Sequence, residues 1–293
     1  MHDGTDGLNV SRRSLLRASA GAASLSSVGS ARGAGDDSER HVARAIDLDC
    51  PDATLEPGMT DCKGTTSGGC TDESPATNDL RSAVTQTLED RYPDVGTLID
   101  AGYKPYFDTL EGGDDGWSHW LSPDRIGDAA VLDPDRPESV LVDNESWRSI
   151  GVMFIATRDG EPVEPPAVYE ADESTGRCSP WHAHTGLPGR FAWWYYRQAY
   201  ERDFAANALD FPCRTPCMLH VWSVDHPESV YAHDAPPAAY RDRQPADGPG
   251  FDTDAAPGED ELGWDVLPDD LVPELTPDDF SPSDILDLAP GHS

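Results

Sequence analysis

The sequence predicts an α+β fold: a mostly antiparallel sheet with N-terminal helices and one inserted helix, forming a single core domain. Three observations carry this prediction. Apolar residues recur at i, i+4 from Leu80 to Ile99. Two apolar runs, 138–143 and 147–157, flank the short polar connection Asn144-Glu145-Ser146. An aromatic, Ala-rich stretch at 191–208 precedes a strand-like run at 218–224.

The core is read as residues 77–241, and its elements follow in order. Thr77, Asn78 and Asp79 are good N-cap residues before Leu80, Val84, Leu88, Tyr92, Val95, Leu98 and Ile99, which predicts one or two helices divided by Pro93 and ended by Gly102. Tyr103-Lys104-Pro105-Tyr106-Phe107 is an aromatic, strand-like piece, followed by a Gly/Asp-rich loop that leads into Gly116-Trp117-Ser118-His119-Trp120. The paired runs at 138–157 read as a hairpin. Ile150 to Ile155 is apolar or Gly on both faces, as in a central strand covered on both sides. Residues 191–208 favour a helix and Met218–Val224 a strand, with no internal repeat.

Outside this core the composition changes. Ser11-Arg12-Arg13-Ser14-Leu15-Leu16-Arg17 followed by a weakly apolar Ala/Ser/Gly stretch reads as a twin-arginine signal peptide over residues 1–35, too poor in large apolar residues to span a bilayer. Residues 36–76 read as a Cys-containing, loop-rich arm. From 242 to 293 the chain is rich in Pro, Asp, Glu and Gly, with no Lys or Arg after Arg243, and is expected to be extended or disordered, with a short helical turn near Ser283–Leu288.

The 293-residue chain carries a formal charge of −34, and removal of residues 1–35 leaves 17 basic and 53 acidic side chains. Only Lys63 and Lys104 are lysines. This low-lysine, carboxylate-dense composition resembles that of proteins from extremely halophilic archaea, in which molar salt shortens the Debye length to about 3 Å and screens self-repulsion. It excludes recognition of nucleic acid or an anionic membrane through a basic patch, and no stable membrane anchor is expected. The six cysteines fall into two groups, Cys50, Cys62 and Cys70, and Cys178, Cys213 and Cys217. Export makes disulfides the default. Each group is odd in number, so either one bridge ties the arm to the later region or two thiols stay free.

Chemistry concentrates in histidines with apolar or aromatic neighbours: His119 in Trp-Ser-His-Trp, His182 and His184 in Trp-His-Ala-His, and His220 in Met-Leu-His-Val-Trp. On a strand, His182 and His184 point to one face, a spacing that suits two ligands of one ion. His220 on another strand can supply a third ligand, and His119 a fourth or a proton-transfer group. Neutral imidazoles suit a single zinc, copper or iron ion. The competing account makes His119 and His220 aromatic-core residues. His226 and His233, beside Pro227 and Asp234, read as loop residues. Cys213, Cys217 and His220 resemble a blue-copper loop, but Asp225 stands where Met is required; the His-x-His pair resembles that of cupins, but the Glu expected after it is absent. No nucleophile elbow, phosphate loop, His-Glu-x-x-His or dinucleotide fingerprint is present.

His119-Trp120, Asp133-Pro134-Asp135-Arg136-Pro137-Glu138, Gly151-Val152-Met153-Phe154, Leu219-His220-Val221-Trp222 and Tyr231-Ala232 together resemble blocks shared, in that order, by a group of uncharacterised secreted prokaryotic proteins. The resemblance covers about 100–235 and implies a single core domain but no activity. Arg136 and Glu138 are expected to form a turn with its own ion pair. The sequence thus points to an exported halophilic protein with a histidine-lined metal site, its reaction and substrate open. The alternative is a non-enzymatic extracellular structural or binding protein stabilised by disulfides.

Overall fold

The computed structural model describes residues 50–106, 116–170, 176–201 and 211–280. The segment read as a signal peptide and the turn expected near 283–288 lie outside the described residues. The fold is α+β and built on seven strands. These are β1 (Met59–Asp61), β2 (Lys104–Tyr106), β3 (Trp117–Leu121), β4 (Ser139–Asp143), β5 (Arg148–Ile155), β8 (His182–His184) and β9 (Met218–Trp222). They lie in the order β1-β8-β9-β5-β4-β3-β2, every pair antiparallel; β6 (Thr157–Arg158) and β7 (Glu161–Pro162) form a separate small ribbon.

Of the one or two N-terminal helices expected, two form, α1 (Pro75–Arg91) and α2 (Val95–Asp100). α1 starts earlier than the N-cap pattern indicates, because Pro75 occupies its first turn behind Ser74. Pro93 disfavours helical geometry at Tyr92 and closes it. Asp94 opens α2 with a capping box, its carboxylate accepting from the Thr97 amide at 3.1 Å. Gly102 ends the pair at φ +83°, a conformation glycine adopts without penalty.

The β4–β5 hairpin forms the centre. Its second strand begins at Arg148 because Trp147 sits at φ +58° and completes the turn. That conformation is unfavourable for a bulky residue and is held by burial: Trp147 stacks on Phe251 at 5.7 Å and its indole N–H donates to the Asp260 carbonyl. Leu141 pairs with Gly151 and Val142 with Ser149, which leaves Ile150 as a bulge. The extra residue reverses the inside/outside parity. Ile150 therefore shares a face with Met153 and Ile155, while Val152 and Phe154 face the opposite core with Val84 and Leu88 of α1. Both faces of β5 are covered, as its unbroken apolar run predicts. Each such fully buried aliphatic or Phe side chain contributes about 1.5–3 kcal/mol.

The sheet is curled. β3 and β9 are separated by β4 and β5, and in a flat sheet three inter-strand spacings would put them about 14 Å apart, more than two imidazole side chains together span. Yet His119 of β3 and His220 of β9 bring their Nε2 atoms to 3.3 Å. The curl makes one face concave. Across it runs the inserted helix α4 (Leu187–Glu201), which follows the one-turn α3 (Pro123–Ile126). Trp193 and Tyr196 of α4 pack against Leu121, Met153 and Met218, and the Tyr196 hydroxyl donates to the Leu121 carbonyl. Residues 202–208 of the expected helix lie outside the described residues.

Two readings of the flanks need correction. All six cysteines pair, and every bridge crosses between the two groups: Cys50–Cys213, Cys62–Cys217 and Cys70–Cys178. One bridge between the groups was expected, but the arm contributes an edge strand, β1, along β8. That alignment sets its cysteines opposite the later ones. The acidic stretch from 242 to 280 has little regular structure, yet it packs as a strap on the core rather than standing free. Ala246, Leu262, Leu267 and Leu271 are buried, and the amides of Ala246, Gly258 and Leu262 donate to the carbonyls of Ser146, Glu145 and Asn144 at the hairpin turn. Just before it, Arg241 of α5 (Ala238–Arg241) forms a buried ion pair with Asp143 at 3.0 Å. Arg136 pairs with Asp128 at 2.7 Å rather than with Glu138, which is buried and accepts from the Ile155 amide. Among the described residues no helix is long and apolar enough to cross a membrane.

Candidate metal centre

The concave face collects five histidines. His182 and His184 are the first and last residues of β8, so both rings emerge on one side, with centroids 5.4 Å apart. The strand is short but held from both edges. β1 pairs Asp61 with His182 and Met59 with His184, while on the other side the Thr215 hydroxyl accepts from the His184 amide and the Thr215 amide donates to the His184 carbonyl. The first turn of α4 presses on His184: a Cβ on Gly189 would stand 2.7 Å from His184 Cβ, so only glycine fits.

The third member is His233, in the loop after β9. This loop is tied down by a series of hydrogen bonds. The Trp222 amide and indole N–H donate to the Val230 and Ala232 carbonyls, Asp72 accepts from Ser229 and Val230, and the Tyr231 hydroxyl donates to Thr77. One ligand atom from each of His182, His184 and His233 lies within 4.8 Å of the others. His233 Nδ1–H donates to the exposed Asp234 carboxylate at 2.8 Å, which leaves the Nε2 lone pair available to a ligand. His182 Nε2 is buried with no hydrogen-bond partner, a costly state for a polar atom unless something binds it.

His220 and His119 stand beside this trio. His220 is 2% exposed on β9 and its Nδ1–H donates to the His233 carbonyl at 2.6 Å. Its Nε2 faces His119 Nε2 at 3.3 Å. Trp117, Tyr106 and Trp222 surround the pair, with centroids between 4.6 and 5.9 Å from one or other imidazole.

Burial is the main cause that holds His119, His182, His184 and His220 neutral. It lowers His119 to about 3 and His184 to about 4, helped by repulsion from His233 and, for His119, from His184. His182 and His220 are pushed well below the ordinary value by burial first and by their histidine neighbours second. Neutral rings offer lone pairs, and a cluster of them with no buried carboxylate among its members is suited to a borderline metal ion.

The four histidines picked out from sequence therefore all reach one face, but not as one ligand set. His182 and His184 join His233, while His119 and His220 pair with each other. His233 was passed over because a loop residue has no periodicity to place it; the only signal was its position next to Asp234, the His-carboxylate pattern of many metal ligands. His226 is a structural residue, its Nδ1 accepting from the Glu228 amide. Comparison with family models, with curated proteins and with solved structures found no match.

Proposed function

We propose that this is an exported, halophilic metalloprotein that holds a transition-metal ion, zinc, copper or iron, through His182, His184 and His233. The reading rests on one observation: three imidazoles from a strand and a braced loop bring their ligand atoms within 4.8 Å of one another. Three protein ligands leave a position open for water or substrate, and an ion held there supplies Lewis-acid chemistry. The protein's own part is to fix the rings, through Thr215 and Gly189 at His184 and Asp234 at His233, and to line the approach with aromatic side chains. Export is supported by the twin-arginine segment and by the three disulfides, which fit an extracellular protein. The resemblance to secreted prokaryotic proteins agrees with that address. The acidic, lysine-poor surface supports work in molar salt.

The test is elemental analysis of exported protein purified in molar salt without a histidine tag. At least one equivalent of zinc, copper or iron per chain is expected, and the His182→Ala/His184→Ala variant is expected to hold one equivalent fewer. No metal even after reloading would overturn the reading and favour a binding or structural protein held together by its disulfides.

A further inference from the structure

The geometry points to a second ion, held between His119 and His220, so that the concave face carries a two-metal centre with three histidines on one ion and two on the other. The inference builds on the site proposed above, since it makes the pair a companion to the trio. Four observations support it.

The first is distance. Two metal–nitrogen bonds of about 2.0–2.1 Å meeting at a tetrahedral angle place their nitrogens about 3.3 Å apart. His119 Nε2 and His220 Nε2 are 3.3 Å apart, which is long for a hydrogen bond between two neutral rings.

The second is tautomer. A carbonyl can only accept, so the contact between His220 Nδ1 and the His233 carbonyl puts the His220 proton on Nδ1 and leaves a lone pair on Nε2. Metal-ligating histidines nearly always donate their other ring N–H in this way.

The third is continuity. The carbonyl that orients His220 belongs to His233, itself a member of the trio, and the two rings lie nearly parallel with centroids 5.4 Å apart. His182, whose Nε2 lacks a partner, has its ring centroid 5.7 Å from that of His220. The pair and the trio are adjoining parts of one cluster.

The fourth is the fold itself. His119 and His220 come from strands separated by two others, and only the curl of the sheet brings them together. Two protein ligands leave the second ion further positions for a small oxygen-donor ligand, such as water, hydroxide or an oxyanion, which two adjacent ions can share.

The experiment loads the full exported chain with cobalt(II) alone, passes it through gel filtration in molar KCl to remove ions held only by surface carboxylates, and counts cobalt per chain by mass spectrometry. The intact protein is expected to retain two equivalents and His119→Phe one, with the visible cobalt spectrum falling by about half. His119→Gln, a smaller change beside Trp117, is expected to match His119→Phe and serves if the latter does not fold. One equivalent in the intact protein overturns the two-ion centre and leaves the trio standing. Two equivalents in both the intact protein and the His119 variants overturn it as well, because the second ion then sits elsewhere. No retained cobalt in the intact protein overturns both readings together.

Discussion

Removing the Cys62–Cys217 bridge tests how the arm holds the histidine-bearing strand β8. Cys62 follows β1 directly and Cys217 precedes β9, so the bridge spans the three-residue strand β8 that lies between them. Taken alone, each bridge closes a loop of 108 to 163 residues, for which chain entropy predicts about 5 kcal/mol. The bridges are not independent. With Cys50–Cys213 intact, Cys62–Cys217 closes a ring of only about 16 residues, 12 on one side and 4 on the other, and its loss is expected to cost about 3 kcal/mol. By the same reasoning, Cys70–Cys178 closes a ring of about 47 residues, 8 and 39, against Cys62–Cys217, and its loss is expected to cost about 4 kcal/mol. Urea unfolding of Cys62→Ala/Cys217→Ala in molar salt would show a midpoint lower by about 1–1.5 M. A loss near 5 kcal/mol would refute the shared-ring reasoning, as would a smaller loss for Cys70→Ala/Cys178→Ala than for this pair.

Two further predictions concern single residues. Burial pushes the Glu138 carboxyl from its ordinary value of 4.5 up to about 8, against the opposing hydrogen bond from the Ile155 amide. The folded state therefore binds the proton more tightly than the unfolded chain. This contribution to stability is fully present below about pH 4.5, is lost as pH rises to about 8 and is level above, amounting to at most about 4–5 kcal/mol. Glu138→Gln should remove that slope, and unfolding curves for the two proteins that stay parallel from pH 5 to pH 8 would contradict it. Gly189→Ala should drive a methyl group into His184 Cβ, weakening metal retention at least tenfold in competition with a chelator while the fold persists; unchanged retention would show that α4 does not set the position of His184.

The legible parts of the fold were those with a repeat to read. The helical spacing around Val84 and Leu88 and the hairpin at 138–157 owe their form to local burial patterns, and the structure keeps them with ends shifted by one to a few residues. The acidic strap was opaque because its buried residues, Leu262, Leu267 and Leu271 with partly buried Phe251 and Trp264, follow no period and are diluted by carboxylates and prolines. Each enters the core singly, fixed by backbone hydrogen bonds that leave no sequence trace. The same limit hid the curl of the sheet: the bulge at Ile150 is an ordinary apolar residue in an apolar run. His182 and His184 were visible as a pair because strand geometry acts at two-residue range. The partnership of His119 with His220, and the approach of His233, depend on contacts between distant segments.

The clustered histidines are spread from residue 119 to residue 233, with only the His-Ala-His pair adjacent along the chain. An unfolded molecule can offer an ion two neighbouring imidazoles at most, so affinity is a property of the assembled sheet. Any ion bound there ties its own retention to the integrity of the fold: occupancy reports folding, and metal depletion is equivalent to a loosening of the strands and loop that carry the rings.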